Sequence, residues 1–131
     1  MKNLVILAGN VGAEPETRTT GSGANITSFT LATSRPKRDS EGKILKDDDG
    51  RTVEDTEWHR ITCFNGVAKT VADYVAKGQK VMVQGRLHYT QWTDKDEIKR
   101  YGVEILADDV TFLSKGKGTG RAGATEDDIP Y

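Results

Sequence analysis

The apolar period of this chain changes once, between two stretches that alternate, and that change limits what it can fold into. Thr56-Glu57-Trp58-His59-Arg60-Ile61-Thr62-Cys63-Phe64 alternates, with Ile61 and Cys63 on one side and Trp58, Arg60, Thr62 and Phe64 on the other. Asn65-Gly66 breaks the pattern. From Val67 to Lys77 the apolar residues Ala68, Val71, Ala72 and Val75 recur at helical spacing, with Lys77 in the last turn and Gly78 as the cap. Alternation then returns over Lys80 to Trp92, with Val81, Val83 and Leu87 on one side and Arg86, His88 and Trp92 on the other. A charged turn, Thr93 to Lys99, leads to Tyr101 to Phe112, where Tyr101, Val103 and Ile105 share a face. Upstream, Asn3 to Ala8 reads as a strand ending in the turn residues Gly9-Asn10-Val11-Gly12. Thr17 to Thr20 has strand propensity ahead of a hairpin turn at Gly21-Ser22-Gly23. Ile26 to Ser34 alternates, with Phe29 and Leu31 inward.

Three strands, a short helix and two strands predict an all-β fold, a five-stranded Greek-key barrel of the oligonucleotide-binding (OB) type with the helix plugging one end. Trp58, Phe64 and Trp92 all fall on the polar faces of their strands, beside Arg60 and Arg86. A flat ring next to a guanidinium, on the face that does not build the core, suits stacking on unpaired bases with phosphate contacts alongside. Trp58, Trp92 and Phe64 are therefore the candidate stacking residues, and Arg60, Arg86, Lys37 and Arg38 the candidate phosphate contacts.

Charge does not advertise such a partner. The net charge is −1, where a basic balance is the usual footprint. By position, however, the acidic residues gather at Asp47-Asp48-Asp49, Glu54, Asp55 and Glu57 and at Glu126-Asp127-Asp128, while basic residues lie beside the candidate strands. Arg35 to Asp55 reads as a long loop or a mobile hairpin. Its Asp run is an exposed acidic loop. As a calcium loop with Gly50 sixth, Leu45 and Thr56 would stand at the first and twelfth positions, and neither suits. His59 and His88 lack partners at metal-ligand spacing, and the Gly-rich segment lacks the end of a phosphate loop. No metal or cofactor is expected. The longest apolar run near the start is too short to span a bilayer, and the lone Cys63, expected in the core, fits a reducing cytosol.

From Ser114 to Thr125 the chain has no apolar periodicity and reads as a flexible linker after a domain at 1–113. Residues 126–131 pair acidic Glu126-Asp127-Asp128 with Ile129-Pro130-Tyr131. That composition suits a docking peptide for a basic-rimmed apolar pocket, with a solvated tail as the plainer reading.

Over about residues 1–113 and the last six, the chain closely resembles the bacterial single-stranded DNA-binding proteins. The resemblance is carried by Asn3 with Val5-Ile6-Leu7 and Gly9-Asn10, Pro15-Glu16 with Arg18, Leu31-Ala32-Thr33-Ser34, Thr56-Glu57-Trp58-His59-Arg60, Phe64, Lys77-Gly78, Val83 with Gly85, Trp92-Thr93-Asp94 and Asp127-Asp128-Ile129-Pro130. It implies a non-catalytic homotetramer that binds and protects single-stranded DNA in replication, recombination and repair, in the cytoplasm or nucleoid. It adds Arg18 to the DNA contacts, puts His59 at the subunit interface, and makes Asp127, Asp128, Ile129, Pro130 and Tyr131 the site that recruits DNA-processing enzymes. The Asn3 to Ala8 strand, with Asn3 and Val5, is expected at that interface too, since pairing with its twin across a two-fold axis would protect an edge. The chain departs from the pattern in placing Lys37 where many members have another tryptophan, in its longer acidic loop, in its short linker and in ending on Tyr131 where phenylalanine is commonest. Such a compact form points to a phage, plasmid or otherwise streamlined version, which would act in the host cytoplasm. Two other readings stay open: an OB-fold adaptor working mainly through its tail, and an OB-fold nuclease or phosphohydrolase.

Overall fold

The structure, a computed structural model, describes residues 1–116. Its elements run β1 (Val5–Val11), β2 (Glu16–Thr19), β3 (Asn25–Pro36), β4 (Glu54–Phe64), α1 (Asn65–Tyr74), β5 (Lys80–Thr93) and β6 (Lys99–Phe112). The sheet order is β1-β5-β6-β4-β3-β2, and a further β1–β3 pairing closes the ring. Five strands thus form the barrel, as the sequence pattern predicts, and β2 is added outside it on β3. Every pairing is antiparallel except β4 with β6. None of the described helices is long and apolar enough to cross a membrane.

The inward residues of the alternating strands make the core: Phe29, Leu31, Ile61, Cys63, Val81, Val83, Ile105 and Ala107 are buried. Burial pushes the Cys63 thiol up to about 12, so it packs as a small apolar group. Two glycines let strands cross at the barrel wall. A Cβ on Gly9 would collide with the Ala32 carbonyl oxygen, and one on Gly85 with that of Leu106. At Gly85 the β5–β6 register shifts: Gln84 faces Asp109 and Gly85 faces Ala107, leaving Asp108 as an extra residue that bends the ladder.

The helix closes one end with Ala68 and Val71, followed by Val75, all fully buried. The Thr27 hydroxyl, also buried, donates to the Ala68 carbonyl at 2.9 Å and ties the helix to β3. The helix stops sooner than its apolar spacing predicts. Val75 is already extended, with ψ 134. Lys77 and Gly78 belong instead to a turn closed by Gln79 N–H to the Ala76 carbonyl at 3.1 Å. Gly78 takes φ +86 there, and its N–H donates to the Val11 carbonyl at 2.7 Å. Four-residue apolar spacing carries on to Val75 because that side chain still fills the core after the backbone has left the helix.

The segment between β3 and β4 is not an open loop. It folds into two successive hairpins bridged at Arg38–Ile44 and Lys46–Thr52. Lys37 N–H donates to Val53, Val53 N–H to Leu45 and Leu45 N–H to Lys37, at 2.8 to 3.0 Å, so three passes of chain lock one another. Both tips use the same turn. The side chain of Asp39 accepts from Glu41 and Lys43 N–H, and that of Asp47 from Asp49 and Arg51 N–H. The fourth residue of each is a glycine at positive φ, Gly42 and Gly50. The β2–β3 turn repeats the plan with Thr20 and Gly23, and the β5–β6 tip repeats it with Asp94. At that tip the positive-φ residue is Glu97, at φ 62.

A non-glycine residue in the left-handed region costs about 1–2 kcal/mol, partly offset by the extra entropy glycine loses on folding. Glu97→Gly is therefore expected to raise stability by about 0.5–1 kcal/mol in a urea melt; an unchanged or lowered midpoint would contradict this turn assignment.

Candidate nucleic-acid interface

The residues of β4 and β5 that point away from the core share one outer face with those of β6. The register sets Ala32 of β3 opposite Trp58, Thr30 opposite Arg60 and Ser28 opposite Thr62. On the other side, His88 of β5 faces Glu104 of β6, Thr90 faces Gly102 and Trp92 faces Arg100. The parallel β4–β6 contact joins the two halves. Across that join, Thr62 Oγ1 donates to Glu104 Oε2 at 3.1 Å, and Arg60 Nε lies 3.9 Å from the same oxygen.

The aromatic rings stand outside the core. Trp58 is 64% exposed, Trp92 51% and Phe64 41%. Large apolar rings held in water on the outer wall of a barrel are a feature that core packing does not explain. Arg60 and Arg86 are exposed on the same face. Arg18 of β2 pairs with Ile26, which pairs with Phe64, so the three form a line across β2, β3 and β4. Lys37 and Arg38 lie beyond the end of β3 and are exposed. The Arg38 guanidinium donates to the Gly42 carbonyl at 2.8 Å within its own hairpin. Thr62, expected among the outward polar residues, does lie on that side but is only 4% exposed; its bond to Glu104 holds it beneath its neighbours.

His59 lies on the opposite side of β4. It is half-buried, with Nε2 at 2.8 Å from Thr33 Oγ1. The Asn3 amide donates to the Leu87 carbonyl and its oxygen accepts from Leu87 N–H, both at 3.0 Å, which extends the β1–β5 ladder by a side chain. Val5 packs against the core. The outward residues of this strand region are Leu4 and Ile6, 50% and 56% exposed. Away from β5, β1 pairs with β3 only at Asn10 and Val11, so residues 5–9 carry an unpaired edge among the described strands.

Arg100 and Glu104 are members of this face that the sequence reading does not name among the site residues. Arg100 sits across from Trp92, and its Nε donates to Asp94 Oδ2 at 2.8 Å. Once the Asp94 turn fixes the Thr93–Lys99 pairing, the register puts Arg100 beside the ring. Among the described residues, no group of three or more His, Cys, Asp or Glu is placed to hold a metal ion.

The profile of the Single-strand binding protein family matches residues 2–113. A protein named single-stranded DNA-binding protein from Xanthomonas axonopodis pv. citri is 37% identical over 118 residues, covering 90% of this chain and 61% of that protein. Single-stranded DNA-binding protein 1 of Chlorobaculum tepidum is 40% identical over 125 residues, covering 94% of this chain and 72% of that protein. The chain thus spans about three-fifths of the length of the Xanthomonas relative. Among solved structures, a Plasmodium falciparum SSB complex with ssDNA superposes with a TM-score of 0.74 at 28% identity, covering 87% of this chain and 96% of that one.

The Ile98 amide and then the Arg100 guanidinium hold the Asp94 carboxyl below the usual carboxylate range, helped by the Asp96 amide. A lowered folded value means that the carboxylate supports the tip above the ordinary carboxylate pKa and ceases to as pH falls through that lowered value. Asp94→Ala should speed amide hydrogen exchange at Asp96 and Ile98 at neutral pH, read by NMR. Wild-type exchange rates in the variant would show that the carboxylate does not hold the tip.

Proposed function

The chain belongs to the single-strand binding protein family, and on that premise we propose that it binds and protects single-stranded DNA, without catalysis and with little sequence preference. The observation that carries the reading is the pair of exposed indoles, Trp58 and Trp92, on the outward sides of β4 and β5 with Arg60 and Arg86 on those same sides. Stacking accepts any base because every base has a π-face, and phosphate contacts carry no sequence information. Trp58 and Trp92 are the main platforms and Phe64 a third. Arg60, Arg86, Arg18, Lys37 and Arg38 meet phosphates, and affinity therefore falls as salt is added.

Work in replication, recombination and repair, in the cytoplasm, is part of this proposal. So is assembly as a homotetramer with His59, Asn3 and Val5 at the interface. The open edge of β1 and the exposed Leu4 and Ile6 support a contact there, since unpaired strand edges pair with other chains. The contacts of Asn3 and Val5 argue for an indirect role: one secures the strand to β5 and the other seats it on the core. Residues 114–116 adjoin the barrel, with Ser114 bonded to Gln79 and Lys80. The rest of the proposed linker and the docking peptide Asp127-Asp128-Ile129-Pro130-Tyr131 lie outside the described residues.

The nuclease reading gains no support from the carboxylates, since Asp39, Asp47 and Asp94 are engaged as turn anchors. A base–aromatic stack is worth about 1–3 kcal/mol by alanine substitution, so Trp58→Ala and Trp92→Ala should each weaken poly(dT) binding by about 5- to 150-fold while the protein stays folded. Unchanged affinity in a folded variant refutes the assignment. Deleting Glu126 to Tyr131 should leave DNA affinity in place and abolish pull-down of DNA-processing enzymes; retained pull-down would remove the tail from the proposal.

A further inference from the structure

Each exposed indole rests against a glycine. A Cβ built on Gly12 would fall inside the van der Waals envelope of Trp58 Cζ3 and within 2.7 Å of Thr30 Oγ1. One built on Gly102 would lie 2.9 Å from Thr90 Oγ1, 3.1 Å from Trp92 Cζ3 and 3.4 Å from Trp92 Cη2. The two sites are far apart in sequence and sit on different elements. Gly12 follows β1 and donates its N–H to the Thr30 carbonyl at 2.8 Å. Gly102 is within β6, opposite Thr90.

Backbone geometry does not call for glycine at either place. The described glycines with positive φ are Gly23, Gly42, Gly50 and Gly78; Gly12 and Gly102 have conformations open to any L-residue. Glycine within extended chain is unfavourable, because it loses more freedom on folding and contributes no side chain. Nor does either site match Gly9 and Gly85, where a Cβ would strike backbone. What a side chain would strike at Gly12 and Gly102 is the edge of an indole and a threonine hydroxyl.

We propose that Gly12 and Gly102 are positioning residues for the DNA-binding face, leaving a shallow seat in which Trp58 and Trp92 lie against the sheet before DNA arrives. A seated ring has fewer rotamers to lose on binding, and it offers one open face to a base. Phe64 has no such seat: Gly66, the nearest glycine in sequence, has open space where a Cβ would go. The inference rests on the stacking roles proposed above for the two tryptophans.

The test is a double-mutant cycle for poly(dT) affinity with thermal melts alongside. Gly12→Ala should lower affinity by about 3- to 30-fold, part of the loss from removing a whole stack, and Gly102→Ala by a smaller factor because its clash is milder. Melting temperatures should change little, since the atoms displaced at both sites belong to side chains and not to backbone. The loss from Gly12→Ala should vanish in a Trp58→Ala background, and that from Gly102→Ala in a Trp92→Ala background. Gly66→Ala should bind like wild type. A second readout needs no DNA: with Trp92→Phe leaving Trp58 as the sole indole, Gly12→Ala should quicken its fluorescence anisotropy decay. Wild-type affinity in Gly12→Ala, while Trp58→Ala binds weakly, overturns the seat and leaves stacking intact. An equal loss from Gly12→Ala with and without Trp58 overturns it too. Wild-type affinity in Trp58→Ala removes the stacking reading itself, and the seat with it.

Discussion

Barrel closure depends on two backbone crossings that leave no space for a side chain. Gly9 lets β1 approach the Ala32 carbonyl, and Gly85 lets β5 lie over the Leu106 carbonyl as the β5–β6 register shifts. Without those approaches β1 could not reach both β5 and β3, and the sheet would stay open with its edges exposed. Closure sends Leu31, Ile61, Val81 and Val83 into one interior and turns the alternate residues outward. The face bearing Trp58 and Trp92 is a consequence of that sorting. Beyond Gly85 the β5–β6 ladder continues past the barrel, which is why Trp92, Tyr89 and Tyr101 are exposed on a two-stranded arm that no third strand among the described residues covers.

Much of this was legible in the chain because the barrel strands obey a period of two. Ile61 and Cys63 against Trp58 and Phe64, and Phe29 and Leu31 against Thr30, fall on the expected sides. Alternation reports direction and says nothing of depth: Thr62 points outward with Trp58 and is nonetheless covered, because Glu104 from a neighbouring strand closes over it. Register was likewise hidden. Arg100 and Glu104 stand opposite Trp92 and His88, and a lone strand pattern gives a side chain's direction but not its partner on the next strand. Helix spacing overran the helix at Val75, where burial continues after helical dihedrals end. The segment from Arg35 to Asp55 reads in the sequence as a long loop or a mobile hairpin, and its two locked hairpins stay hidden because their order comes from turns and backbone bonds between passes of the chain rather than from apolar periodicity. Its two Asp-x-x-Gly tips were the available signal, and they match the turn chemistry in which an Asp oxygen accepts from amides ahead of it.

The near-neutral net charge fits a binder of polyanions once the carboxylates are located. Asp39, Asp47 and Asp94 face backbone amides that anchor hairpin tips. Glu104 lies on the aromatic face itself, held by Thr62 beside Arg60, and Glu16 and Glu54 point to the same side at its margins. In the proposed binding mode a carboxylate there limits the attraction for phosphate and leaves more of the binding to the rings. The expected signature is a modest salt slope combined with strong dependence on unpaired bases.

Tryptophan fluorescence titrated with poly(dT), poly(dA) and duplex DNA at two salt concentrations tests this balance most directly. Rings that stack on bases should be strongly quenched by both single strands and untouched by the duplex, with quenching at saturation surviving added salt even as the midpoint shifts. Equal binding to duplex, or binding to single strands that leaves the indole emission unchanged, would contradict it.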